Sequence, residues 1–168
     1  RAVLNSGINV SYVVTGIKDC PIYRTASPVF VSYKDSLSRL VAPIKLDFIF
    51  EESAPAKVSY AYVEKSKGIE VESEPVTIDA YPFVLNTIVG DVLVERNEAI
   101  EEPEGELAVT ILPLESASRM YLGALGIAPV SKTSSVVMLS TVTAVPQTGI
   151  DLLNAVMESY NHITNEEK

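Results

Sequence analysis

The chain has 168 residues, 47% of them hydrophobic and 21% charged, a balance that suits one globular domain with a sizeable core and excludes a disordered polypeptide. Its net charge of −9 argues against nucleic acid or an anionic membrane surface as partner. A single cysteine, Cys20, excludes an internal disulfide and a cysteine-based zinc site.

In chain order, residues 1–5 read as the end of a helix, from Arg1 to Asn5. Ile8, Val10, Tyr12 and Val14 alternate with Asn9, Ser11 and Thr15, which predicts a half-buried strand stopped at Gly16. Pro21 and Pro28 bracket a polar connection, and Val29, Val31 and Tyr33 make a second strand. After the turn Lys34-Asp35-Ser36, Ile44, Leu46, Phe48 and Phe50 alternate with Lys45, Asp47 and Glu51, the clearest alternation in the protein. Short connections between these three strands predict that they pair with one another, antiparallel.

Residues 51–112 carry turn signals roughly every 8–12 residues, the spacing of a small all-β unit. Val58, Tyr60 and Tyr62 alternate; Lys67-Gly68 turns the chain; Val76 and Ile78 follow Pro75; 88–94 reads as one strand; Leu107, Val109 and Ile111 close the region. No helix is expected there, and the stretch is taken as a β-rich insertion.

The last third reads helix, long strand, helix. Leu114, Ala117, Tyr121 and Leu125 recur at helical spacing after Pro113, with Gly126 as the stop. Residues 136–142 are apolar at both parities and predict a strand covered on both faces. Pro146 fits the first turn of a second helix, whose Leu153, Val156, Met157, Tyr160 and Ile163 form its apolar stripe. From Thr133 to Ile150 there are eighteen consecutive uncharged residues, about enough to cross a bilayer. The hydroxyls, Gln147 and Pro146 within them argue for a soluble strand and helix start instead. The fold class expected is therefore α+β: a mixed sheet, two helices from the C-terminal half packed on it, and a β-rich middle.

The residues offer little chemistry. Glu95, Glu98, Glu101, Glu102, Glu104 and Glu106, with Pro103 and Gly105, lack the regular spacing of a calcium loop and read as a solvated segment. Ser131 and Lys132 are adjacent, so on a strand they face opposite ways and cannot form a nucleophile pair; no oxyanion elbow lies nearby. His162, the only histidine, has no ligand partner at metal spacing and reads as a cation near a helix C-terminus. Cys20 reads as an incidental thiol. The eight tyrosines sit mostly at strand positions, among them Tyr12, Tyr33, Tyr60 and Tyr62, and read as core and sheet residues; sugar-stacking platforms are the alternative, weakened by the absence of tryptophan. Asn9-Val10-Ser11 matches the N-glycosylation triplet but falls in a strand. No catalytic, cofactor-binding or metal residue is assigned, and no phosphate-binding loop occurs.

One resemblance adds to this. Ile127-Ala128-Pro129-Val130-Ser131-Lys132-Thr133-Ser134-Ser135-Val136-Val137, then Pro146-Gln147, Gly149-Ile150-Asp151-Leu152-Leu153-Asn154 and Tyr160-Asn161, resembles the Wzz-type polysaccharide chain-length determinants. More narrowly, it is similar to the periplasmic portion of exopolysaccharide-transport tyrosine kinases, of the polysaccharide co-polymerase family. Ile8-Asn9-Val10-Ser11-Tyr12 and Pro21-Ile22-Tyr23-Arg24-Thr25-Ala26-Ser27-Pro28 resemble that family's first strand and following turn. The likeness covers about 1–50 and 113–168. The all-β reading of 51–112 departs from the better-known members, where that stretch is largely helical.

The resemblance implies a non-catalytic periplasmic domain that governs chain length and export of capsular or extracellular polysaccharide. It implies membrane helices beyond each end, a parent that carries a cytoplasmic tyrosine kinase in some members, and assembly as a homo-oligomeric ring. The implied partners are the polymerase, the outer-membrane export channel and the polysaccharide. The outward face of helix 146–164, with Asp151 and Glu158, is the expected subunit contact. The competing reading is a secreted carbohydrate-binding or adhesin-like module with the β-rich middle as its binding part. The start at Arg1, with no Met or signal segment, reads as a piece of a longer chain.

Overall fold

A computed structural model describes residues 2–64, 67–101, 104–133 and 135–166, with the backbone alone at 4 and 5. The elements, in order, are α1 (Ala2–Ser6), β1 (Val10–Thr15), β2 (Cys20–Ile22), β3 (Val29–Tyr33), β4 (Ile44–Phe50), β5 (Lys57–Glu64), β6 (Ile69–Glu72), β7 (Val76–Thr77), β8 (Phe83–Thr87), β9 (Gly90–Arg96), β10 (Gly105–Ile111), α2 (Leu114–Ala124), β11 (Leu125–Pro129), β12 (Val137–Thr141) and α3 (Pro146–Glu166). Short 3-10 turns follow β2 and β3. The fold is α+β. The chain divides into two compact units: Asn9–Pro113 is a sandwich of strands, and Arg1–Ile8 with Leu114–Lys168 forms a unit of helices and one hairpin.

The sandwich has a large sheet in the order β2-β1-β10-β4-β5-β6, with β7 also paired to β5, and a small sheet β3-β9-β8. Every described strand pair in the chain is antiparallel, so the expectation of a mixed sheet is corrected. The physical reason lies in the connections. Parallel neighbours need a crossover of a dozen residues or more, usually helical. β1–β2, β4–β5, β5–β6 and β8–β9 are joined by short loops that allow only antiparallel pairing, while β9 and β10 reach their other partners from farther along the chain.

The alternation in β4 does what the pattern predicts. Ile44, Leu46, Phe48 and Phe50 are buried, and they face Tyr62, Tyr60 and Val58 on β5 and Ile111, Val109 and Leu107 on β10. Val29, Val31, Val92, Val94 and Leu85 of the small sheet close the same core from the other side. Phe48 and Phe50 stack with ring planes 6° apart.

The pairing partners are not the expected ones. β1, β3 and β4 do not pair with one another: β10 lies between β1 and β4, and β3 belongs to the small sheet beside β9. The stretch read as one strand over 88–94 is a hairpin, with β8 ending at Thr87, a turn at Ile88 and Val89, and β9 starting at Gly90. The middle of the chain is β-rich as expected. The β-rich insertion, however, runs from Asn9 to Pro113, and its two ends are tied together where the Leu112 N–H donates to the Asn9 carbonyl at 2.8 Å.

In the helical unit, α3 packs against α1 and against β12, and α2 packs against α1. Pro146 opens α3 as predicted, needing no N–H partner at the first helical position. Two expectations are corrected. Residues 136–142 do not make a strand covered on both faces: β12 pairs only with β11, in a two-stranded hairpin whose Val137 and Met138 are more than half exposed. The segment 125–129, with Leu125 and Gly126 expected to end the preceding helix, is close enough in sequence to capture it. The buried face of α3 is Gly149, Leu152 and Ala155, while Met157, Tyr160 and Ile163 of the expected stripe lie open. Gly149 decides that rotation, since any Cβ there would meet the Thr143 Oγ1 at 2.9 Å.

Candidate functional site

The surface that stands out is apolar and belongs to the helical unit. That unit is little more than a third of the chain, yet among the described residues it carries twelve of the twenty large apolar side chains left exposed. On the hairpin these are Ile127, Val130, Val136, Val137 and Met138, with Val142 just beyond it; on α3 they are Ile150, Met157, Tyr160 and Ile163. Ile150, Met157 and Tyr160 fall within one narrow arc of the helix, with Ile163 beside the buried side. Exposed patches of this kind mark contacts with other molecules far more often than singly scattered residues do.

Charge is partitioned in the same way. The sandwich sequence holds seventeen acidic and nine basic residues, whereas the helical unit holds five acidic and four basic. No acid occurs between Glu115 and Asp151. Most of the net charge of −9 thus sits on the sandwich, and the helical unit is close to neutral. This uneven layout was hidden in the total.

Below that surface the unit has a small interior. Tyr121 is buried and its hydroxyl donates to the Ile8 carbonyl at 2.8 Å, tying the end of α1 to α2. Burial pushes the Tyr121 phenol above its ordinary pKa. A half-open groove of about 200 Å³ lies among α1, α2 and α3, lined by Val3, Tyr121, Leu122, Leu125, Leu152 and Val156 and some smaller side chains. Its lining is mainly apolar and carries no titratable group besides the tyrosine.

The residues weighed for chemistry are scattered. Ser131, Lys132, Thr133 and Ser135 are exposed in the loop at the hairpin tip, not on a strand as expected, and Ser134 lies outside the described residues. A tip loop in water has no wall that would activate a nucleophile. Glu101 and Glu104 are exposed between β9 and β10, Glu106 accepts the Thr15 hydroxyl at 3.4 Å, and Glu102 and Pro103 lie outside the described residues. His162 makes an i,i+4 ion pair with Glu166, Nδ1 to Oε1 at 3.2 Å when protonated. Cys20 is exposed on the edge strand β2. Among the described residues no group of three or more His, Cys, Asp or Glu could hold a metal ion.

Tyr60 and Tyr62 stack 6.4 Å apart on the core-facing side of β5, opposite the buried Leu46 and Ile44, and Tyr60 packs on the core. They are half-buried sheet residues. Asn9 is buried and its side-chain amide donates to the Leu112 carbonyl at 3.4 Å, so the glycosylation triplet is closed to a glycosyl donor. On α3, Glu158 is exposed, and Asp151 is half-buried and accepts from Gln147 at 3.3 Å.

Sequence reasoning missed two buried polar residues that hold the sandwich. The Asn97 amide donates to the Ser27 carbonyl at 2.8 Å and the Thr25 carbonyl at 3.1 Å, and its oxygen accepts the Ala99 N–H at 3.2 Å. Ser27, fully buried, donates to the Val29 carbonyl at 2.7 Å. Both lie in polar-looking stretches, and only burial distinguishes them from loop residues.

No family model matches the chain, and no curated protein is detectably similar to it. Among the described residues no helix is long and apolar enough to cross a membrane.

Proposed function

We propose that this chain is a non-catalytic periplasmic domain of a polysaccharide co-polymerase, acting on the chain length and export of a capsular or extracellular polysaccharide as a homo-oligomer. The observation that carries the reading is the exposed apolar face of the helical unit, in the same stretch that carries the resemblance. Twelve open apolar side chains, spread over α2, both faces of the hairpin and α3, together with little net charge, suit contact with neighbouring subunits. In this reading the sandwich is an acidic body, and the polymerase and export channel are the further partners. The surfaces act, and no residue performs bond chemistry.

The α3 stripe is the expected subunit contact. It replaces the Asp151 and Glu158 face, which lies about 100° around the helix from Ile150 and Met157 and opposite Tyr160. The double variant Met157→Glu with Tyr160→Glu in the membrane-anchored parent should break the oligomer and shift the polysaccharide length distribution. Asp151→Lys with Glu158→Lys should leave both nearly unchanged. Intact oligomers in the first variant would remove α3 from the contact.

The coding sequence on either side of this stretch tests the reading as a whole. Apolar segments of about 20 residues flanking both ends are expected. A cleavable signal peptide with no second membrane segment, together with glycan binding by the sandwich, would replace it with a secreted carbohydrate-binding module.

A further inference from the structure

The β11–β12 hairpin is unpaired at both edges, and we infer that a second copy of the chain pairs with it through β12. The Val130 N–H donates to the Val136 carbonyl at 3.0 Å, which sets the hydrogen-bonding phase of the hairpin. In an antiparallel ladder such pairs alternate, so 126, 128, 136, 138 and 140 also point their amides inward. Leu125, Ile127 and Pro129 on β11, and Val137, Leu139 and Thr141 on β12, therefore point outward. Pro129 has no N–H, which blunts the β11 edge. Among the described residues no hydrogen bond takes the outward amides of Val137 and Leu139.

Two strands alone are marginal in water, and an apolar edge that is neither charged nor covered is a template for another strand. The area fits a weak contact. Val136, Val137 and Met138 are each more than half exposed. At roughly 100 Å² apiece they offer on the order of 300 Å² per copy, against about 800 Å² per partner in a standard interface. A lipid surface does not fit, because unpaired strand amides are not tolerated in hydrocarbon. A second copy does, because the acid-free strand meets its own image without repulsion.

The geometry points to a twofold axis at Met138. Val137 of one copy then lies opposite Leu139 of the other, and about four backbone hydrogen bonds form between the outward amides and carbonyls. The two Met138 side chains meet on one face, and the two Lys132 tips are carried to opposite ends. Thr141, whose methyl is packed against the start of α3 near Gly149, stays outside the register. This contact is separate from the α3 stripe, and the flanking coding sequence does not bear on it.

The test uses residues 1–168 in a Cys20→Ser background. Sedimentation from about 10 μM to about 1 mM should show a monomer–dimer equilibrium. Met138→Cys should form a covalent dimer under mild oxidation, because a non-hydrogen-bonded pair brings the two Cα atoms to about 4.5 Å, within disulfide reach. Ala128→Cys, on the strand away from the axis, should not. Leu139→Pro removes an outward N–H that the hairpin itself does not use, and Met138→Lys sets like charges opposite each other; both should weaken the dimer at least ~10-fold with unchanged circular dichroism. A monomer at every concentration, cross-linking through Ala128→Cys alone, or a dimer indifferent to both Leu139→Pro and Met138→Lys would overturn the contact. Binding to phosphatidylglycerol vesicles without self-association would overturn it in favour of a lipid surface.

Discussion

Tyr12 joins the two sheets of the sandwich at a single atom. It is buried in β1, and its phenol oxygen accepts the Val31 N–H of β3 at 3.0 Å. That amide points away from β9 and would otherwise be orphaned inside the core. Burial raises the Tyr12 pKa, opposed by this hydrogen bond and by the nearby Arg24 charge. Tyr12→Phe keeps the ring and strands the amide, so it should cost about 1–2 kcal/mol in urea unfolding. The pH dependence has a definite sign. Below about 10 the phenol is neutral in both folded and unfolded chains. Above that the unfolded chain ionises first, so it holds fewer protons than the native state and stability falls as pH rises. Tyr12→Phe should flatten that alkaline decline relative to the parent. An equally steep decline would place its cause at Tyr121 or Tyr33, whose phenols burial also raises.

At the scale of an element, the β8–β9 hairpin explains why a single predicted strand became two. Gly90 has φ of 128°, and the Tyr33 hydroxyl, which donates to the Val89 carbonyl, occupies the space any Cβ at 90 would fill. The chain can therefore reverse at Ile88-Val89 only because residue 90 is glycine. Gly90→Ala should destabilise by about 2 kcal/mol or more, from left-handed strain together with the displaced tyrosine. A chemical-denaturation midpoint equal to that of the parent would mean the hairpin tolerates another turn. The same scale accounts for the last third of the chain. Residues 125–129 hold Gly126 and Pro129, both poor strand formers, and nothing in their composition announces a strand. Pairing with 137–141 makes one of them. Gly126 is needed there, since the Ser140 hydroxyl sits 2.5 Å from where its Cβ would be.

For the whole molecule, the sandwich carries its own core and its two ends are adjacent. Val10 pairs with Ile111, and the Leu112 amide bonds to Asn9. Residues 9–113 alone are therefore expected to fold, with a cooperative thermal transition and dispersed amide resonances. A collapsed species without a transition would show that the sandwich depends on the helical unit. The two units also differ in surface chemistry: most of the acidic charge is on the sandwich, and most of the exposed large apolar side chains are on the helical unit.

What the sequence determined by itself was local. Period-two alternation marked β4 and β10, and proline at a helix start placed α3, because each depends on a few consecutive side chains and the backbone they share. Helical spacing from Leu114 to Tyr121 likewise marked α2, although the helix ends at Ala124 and Leu125 and Gly126 belong to β11. The strands among the described residues of 51–112 were legible for the same reason. Tertiary structure alone decided which strands pair, that β10 comes between β1 and β4, and which side of α3 is buried. Those outcomes depend on which apolar surfaces find each other across long separations in the chain, and no window of consecutive residues contains that competition. The candidate surface follows the same division. Its residues were visible as an apolar, acid-free run, but only the fold shows that the run stays uncovered.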